Sequence, residues 1–384
     1  MDWRVPLADV NFGVEEEQAV QEVIRSGWLS MGEVTKEFEQ EFANLIGAKH
    51  TLAVTNGTAA LHLACLAAGI GPGDEVIVPS LTFVATANAV RYTGATPVFA
   101  DILSLDWLNI SPASIETRIT ERTRAILVVH YAGFSCEMPA IMDIAHRHNL
   151  VVLEDSAHAI GSTLDGRTLG TWGAIGCYSF FSNKNMTTGE GGMLATNDDA
   201  IAEKLRILRS HGMTSLSWDR HQGHAYSYDV VDLGYNYRID EMRSALGRVQ
   251  LRKLPAGNLQ REKITALYRE LLAELAPQIE LPFGKSFGTS CYHILPALLP
   301  KGMNRIGFME GLKQRGIQTS IHYPPVHQFQ IYQDEWQKRG LALPLTEDVG
   351  VRQVTLPLYS NMRPEQVLWV AQAIKEVLQE LYAK

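Results

Sequence analysis

Lys184 lies in the stretch Ser179-Phe180-Phe181-Ser182-Asn183-Lys184-Asn185, just ahead of the turn Thr188-Gly189-Glu190-Gly191-Gly192. Desolvation lowers the pKa of a lysine amine and makes it a nucleophile toward aldehydes, and nearby glycines let backbone pass close to a flat ring. Taken singly, Lys184 reads by default as a surface-loop lysine. Asp155 closes the apolar run Leu150-Val151-Val152-Leu153-Glu154-Asp155. A carboxylate there is costly to bury unless a positive or protonated group meets it. It either caps a helix or holds a protonated ring nitrogen, with His158 one helical turn on touching the same ring. In Thr55-Asn56-Gly57-Thr58-Ala59-Ala60, Gly57 and Thr58 open a helix with small side chains. Unpaired amides at such a start make a phosphate seat, although an ordinary Gly-Thr cap has the same sequence.

Jointly these residues meet the needs of one cofactor. A phosphate seat, an aspartate at a strand end and a lysine 29 residues later on a strand-to-glycine turn are what pyridoxal phosphate requires. Its phosphate needs an anchor, its pyridine nitrogen a carboxylate, and its aldehyde a lysine for the internal aldimine. Phe83, in Pro79-Ser80-Leu81-Thr82-Phe83, also follows an apolar run and either stacks on the ring or packs in the core. The glycines of Gly69-Ile70-Gly71-Pro72-Gly73 follow a helix and precede a strand, the reverse of a dinucleotide-binding order.

Short apolar runs at 51–54, 75–78, 97–100, 125–129 and 150–153 alternate with helical patterns at 58–68, 83–92, 112–119 and 138–148. Continuous apolar strands between helices predict an α/β fold with a mostly parallel sheet covered on both faces. Ligands then bind beyond the carboxyl ends of the strands, where the residues above fall. Two helical patterns, 14–25 and 34–46, precede the first strand. Close-spaced strands at 174–180 and 192–196 predict an antiparallel excursion. A helix at 198–210 leads into an aromatic stretch, 211–237, then helices at 239–253 and 258–276. The rest reads as a small α+β unit with strand 292–298 and helices 305–315 and 364–382. The expected division is a large cofactor-binding domain, 1–250, with a helical segment 1–32, and a small domain, 251–384.

The composition of the 384 residues, 46% hydrophobic and 20% charged, is that of a soluble globular protein. With 34 Lys plus Arg against 42 Asp plus Glu and no basic tract, nucleic-acid binding is not expected. No leader or long apolar run marks a membrane segment, and the expected compartment is the cytoplasm. Cys65, Cys136, Cys177 and Cys291 are scattered singly, so neither disulfides nor a metal site are expected.

At these same residues the sequence resembles the DegT/DnrJ/StrS nucleotide-sugar aminotransferases, which are fold type I pyridoxal phosphate enzymes. The resemblance runs nearly end to end, through SGWLSMG (26–32), TNGTAALHLA (55–64), GDEVIVPSLTFVATANAV (73–90), EDSAHAIG (154–161), SFFSNKNMTTGEGG (179–192), GYNYRIDEMRSALGRVQL (234–251) and IHYPPVH (321–327). It implies that Lys184 forms the Schiff base and shuttles a proton. Asp155 pairs with the pyridinium nitrogen and His158 approaches the phenolic oxygen. Gly57, Thr58 and Ser179 hold the phosphate, Phe83 stacks on the ring, and Asn236 reaches the phosphate from the neighbouring subunit of a homodimer.

The reaction so implied is a ping-pong transfer of an amino group, through pyridoxamine phosphate, from L-glutamate to a ketone of a nucleotide-linked 6-deoxyhexose. Ser30, His322, Tyr323 and the aromatic segment 212–233 are the candidates for the sugar and diphosphate. The segments around VHYAG, EDSAHA and IHYPP resemble those of 4-aminotransferases, which favours C4. Phe181 departs from the His or Tyr common at its position and removes a polar contact to the sugar. Some relatives carry His in place of the lysine and eliminate a hydroxyl; Lys184 fits transamination. A pyridoxal phosphate-dependent sugar dehydratase or lyase, and a regulator that binds the cofactor without turnover, are the competing readings.

Overall fold

The computed structural model describes residues 3–214, 228–285 and 287–383. The first five strands are β1 (His50–Val54), β2 (Glu75–Pro79), β3 (Thr96–Ala100), β4 (Thr123–Val129) and β5 (Val151–Asp155). A short hairpin, β6 (Thr163–Leu164) and β7 (Arg167–Thr168), precedes β8 (Ile175–Ser179) and β9 (Gly192–Thr196). The seven-stranded central sheet has the order β1-β9-β8-β5-β4-β2-β3. Only β9 runs antiparallel to its neighbours, β1 and β8; the other pairs are parallel. This is the mixed, mostly parallel sheet and antiparallel excursion expected from the apolar runs. Helices cover both faces, so β2 and β8 are buried along their whole length.

Because β9 alone is reversed, the carboxyl ends of β1, β2, β4, β5 and β8 share one edge of the sheet. Local chemistry sets the helix starts there. The Asn56 side chain accepts from the Ala59 amide at 2.8 Å and begins the helix Gly57–Ala67. Helix Ala85–Tyr92 follows β2, and helix Asp199–Arg209 is capped by Asp198.

Two helices were expected over 239–276, and a single helix, Glu241–Leu275, takes their place, with Pro255 inside it. A proline in a helix interior costs about 3 kcal/mol. Packing on both sides of it offsets that cost: Leu251 and Leu254 sit in a core with Phe38 and Phe42, while Ile264, Tyr268 and Leu272 sit in the core of the C-terminal elements. The helix thus runs unbroken across 250–251. The C-terminal core is built on strands β11 (Leu295–Leu298) and β12 (Gln353–Leu356), paired antiparallel, with helices Arg305–Gln314 and Pro364–Tyr382. The expected strand 292–298 is shortened to its second half, and β10 (Gly288–Thr289) pairs with β6 instead. Val5, near the amino end, also belongs to this C-terminal core. Among the described residues no helix is long and apolar enough to cross a membrane.

Candidate active site

A cavity of about 730 Å³ opens at the shared edge of carboxyl ends. Gly57, Thr58, Phe83, Asp155, His158, Ser179, Lys184, His322 and Tyr323 all line it. Chain segments far apart in sequence therefore converge on one space. Ser30 does not line it and is exposed in the turn before the helix Glu33–Ile46. Asn236 is exposed as well, while its neighbour Tyr237 lines the cavity. Of the aromatic stretch 212–233, residues 215–227 lie outside the described residues.

The seat at the start of helix Gly57–Ala67 is made by close approach. A Cβ on Gly57 would meet the Ser179 Cβ at 2.9 Å, so only glycine leaves this corner open. The Thr55 amide donates to the Tyr237 carbonyl at 2.9 Å, which ties the segment after β1 to the 234–238 strand-like stretch. The Phe181 amide donates to Ser179 Oγ at 3.4 Å, and Phe181 itself is exposed on the cavity wall. Phe83 is 55% exposed, which excludes the core-packing reading, and its ring centroid lies 5.6 Å from that of Tyr323.

Asp155 is buried at the end of β5. Thr86 Oγ1 donates to its Oδ2 at 2.8 Å and the Ala157 amide to its Oδ1 at 3.1 Å. Burial raises its pKa above the ordinary carboxylate value, opposed by those two hydrogen bonds and by the Lys184 charge. A buried anion in that condition is stabilised by a cation placed in the cavity. His158 is buried beside it. The Ala132 amide donates to His158 Nδ1 at 3.3 Å, so the proton of the neutral ring sits on Nε2, which donates to the Tyr323 hydroxyl at 3.0 Å. Burial, then the charges of Lys184 and His322, holds His158 well below the usual histidine range. Tyr131 is buried nearby and donates to the His322 carbonyl. His322, whose Nδ1 meets Thr355 Oγ1 at 2.9 Å, is lowered to about 4 by burial and Lys184.

Lys184 is half-buried, and its pKa is lowered to about 8 by burial, with Asp155 pulling the other way. Its Nζ lies 3.4 Å from His293 Nε2. Sequence reasoning missed both Thr86 and His293. Thr86 falls one turn after Phe83 in the same segment, where a search for partners of Asp155 could have found it. His293 carries no local signal, since it meets a residue 109 positions away.

The open corner at Gly57, the buried carboxylate at Asp155 and the depressed amine at Lys184 fit pyridoxal phosphate. Sheet and site together are those of a fold type I pyridoxal phosphate-dependent enzyme. Residues 11–375 match the sequence model of the DegT/DnrJ/EryC1/StrS aminotransferase family. The chain is 40% identical over 371 residues to the spore coat polysaccharide biosynthesis protein SpsC of Bacillus subtilis, covering 95% of each. Its fold superposes on that of Helicobacter pylori PseC, an aminotransferase involved in the biosynthesis of pseudoaminic acid, with a TM-score of 0.91 at 31% identity over 99% of this chain and 100% of that one. The Streptococcus pneumoniae protein Spr1654 in its PMP form gives 0.91 at 27% identity, over 98% and 100% of the two chains. The protein belongs to the DegT/DnrJ/EryC1/StrS aminotransferase family, and is a sugar aminotransferase dependent on pyridoxal phosphate.

Proposed function

We propose that this aminotransferase moves an amino group from L-glutamate to the C4 ketone of a nucleotide-linked 6-deoxyhexose by a ping-pong mechanism, as a cytoplasmic homodimer. The observation that carries the reading is the placement of Lys184, its amine lowered to about 8, in one cavity with the buried Asp155 and the Gly57 seat. Glutamate rests on the family resemblance, and C4 on the likeness of the VHYAG, EDSAHA and IHYPP segments to those of 4-aminotransferases.

Bound pyridoxal phosphate supplies an aldehyde carbon for covalent attachment and a cationic ring that draws electrons from the substrate. Lys184 is the residue that would join it, and its Nζ is the group placed to carry a proton to and from the substrate carbon. Asp155 would keep the ring nitrogen protonated. Thr86 fixes the orientation of its carboxylate by the hydrogen bond to Oδ2. His158, neutral and tied to Tyr323, would meet the ring oxygen. Gly57, Thr58 and Ser179 would hold the phosphate, and Phe83 would stack on the ring. His322, Tyr323 and Phe181 remain for the sugar, and Ser30 and the 212–233 segment are kept as candidates for the sugar and diphosphate.

Asn236 completes the phosphate seat of the neighbouring subunit in this reading. Its exposure beside the cavity, next to exposed Val230, Val231 and Leu233, supports that arrangement. The division into a 1–250 cofactor domain and a 251–384 domain is kept as a proposal, with the helix Glu241–Leu275 as their shared spine.

Incubation of the holoenzyme with L-glutamate is expected to release one 2-oxoglutarate per site with a change in the cofactor's absorption. Mass spectrometry over a panel of 3-keto and 4-keto nucleotide sugars is then expected to show amination of the 4-keto class. Absence of 2-oxoglutarate would favour a dehydratase or lyase, and amination confined to 3-keto sugars would overturn the C4 assignment.

A further inference from the structure

Behind Lys184 lies a hydrogen-bond chain whose directions can be assigned from its ends. Asn258 Nδ2 donates to the Ile160 carbonyl at 3.0 Å, which turns Asn258 Oδ1 toward Asn185. Asn185 Nδ2 donates to that Oδ1 at 2.8 Å and to the Cys291 carbonyl at 2.7 Å. Both contacts need the amide nitrogen of Asn185 on that side, so its Oδ1 faces His293 Nδ1, 2.9 Å away, and accepts. The proton of a neutral His293 ring is thereby fixed on Nδ1. Its Nε2 is left as a bare acceptor, 3.4 Å from Lys184 Nζ.

We infer that His293 is a positioning residue for Lys184: its Nε2 accepts a hydrogen bond from Nζ and so sets where the amine points. This rests on the reading of Lys184 as the reactive amine. The ring is clamped from its backbone side too, since Arg261 Nη1 donates to the His293 carbonyl at 3.1 Å and to the Leu358 carbonyl at 3.0 Å. Burial, with Lys184, His158, Arg261 and His322 around it, holds His293 well below its usual pKa, so the ring stays an uncharged acceptor across the neutral range. Facing the amine from other elements are Asp155 at the end of β5, His158, His322, and Cys291 on the same segment as His293. An acceptor on the ammonium stabilises the charged form, whereas an N–H pointed at it would do the opposite. A fall on replacing the ring with leucine that the amide oxygen of a glutamine restores therefore reports its direction.

Competitive acetylation of the full chain with acetic anhydride, with no cofactor added and read by mass spectrometry across pH, measures the Lys184 pKa directly. His293→Leu is expected to lower it by about one unit, and His293→Gln, whose amide oxygen can stand where Nε2 stood, to leave it within about 0.3 unit of wild type. An unchanged or raised value in His293→Leu overturns the inference. Nitrogen-15 NMR of histidine-labelled wild-type protein needs no variant: it is expected to show Nε2 of His293 without a hydrogen, and a protonated Nε2 overturns the inference even if His293→Leu does not fold. Neither readout involves transamination. Their failure beside normal 2-oxoglutarate release removes only this role of His293, and their success without 2-oxoglutarate release removes only the transaminase reading.

Discussion

The Lys184 amine is brought to about 8 by burial against the partial opposition of Asp155. Below that pH the ammonium predominates and has no lone pair for an aldehyde; above it the free amine does. Attachment of pyridoxal phosphate to the cofactor-free chain is expected to speed up with pH through a midpoint near 8 and then level off, as followed by stopped-flow absorbance. A rate indifferent to pH would contradict it. Asp155 carries the opposite stability term. Its folded pKa is raised, so its contribution is fully present below the unfolded carboxylate value and is lost as pH rises through the folded one. Asp155→Asn is therefore expected to melt no lower than wild type at neutral pH without cofactor, while kcat/KM falls about a hundredfold, on the order of 3 kcal/mol of transition-state stabilisation. A melt far below wild type would show that the carboxylate serves the fold. Lys184, Asp155 and Gly57 were legible because each falls at or within a few residues of the end of an apolar run and its chemistry exceeds the needs of packing. Thr86 and His293 were not, because ordinary polar residues acquire their roles only from partners 69 and 109 positions away.

At the scale of elements, the seat depends on how closely β8, β9 and the start of helix Gly57–Ala67 approach. Gly57→Ala puts a methyl 2.9 Å from the Ser179 Cβ and 3.3 Å from its Oγ without demanding an unusual backbone angle. The expected outcome is a chain that folds and binds cofactor about tenfold more weakly, roughly 1.4 kcal/mol, by fluorescence titration. Gly192→Ala differs, because its methyl meets Asn56 C and O at 2.6 Å and the Gly57 nitrogen at 2.9 Å, backbone that cannot swing aside. It is expected to lower stability by about 2 kcal/mol in urea as β9 is pushed from the seat. Equal effects of the two changes on stability would refute this distinction. The strands were readable in advance since a buried parallel strand is a run of adjacent apolar residues. The continuous helix through Pro255 was not, since the proline rule is local while Leu254 and Ile264 are held by cores made from distant segments.

For the whole molecule, one end of the chain helps to build the other: Val5 packs in the C-terminal core, and Arg261 ties the long helix to the backbone of His293 and Leu358. No local pattern announces either contact, whereas the order of motifs along the chain carried the family and with it the expected partnership of two subunits. That partnership has a quantitative consequence. If each site uses Lys184 of one subunit and Asn236 of the other, a dimer of one Lys184→Ala chain and one Asn236→Ala chain contains one doubly damaged site and one intact site. Each pure variant is expected to be nearly inactive. After unfolding, equimolar mixing and refolding, half of the dimers are mixed and half of their sites are whole, so activity should return to roughly a quarter of wild type. Activity no higher than the mean of the two separate variants would mean that each site is built from one chain, and Asn236 would lose the role proposed for it.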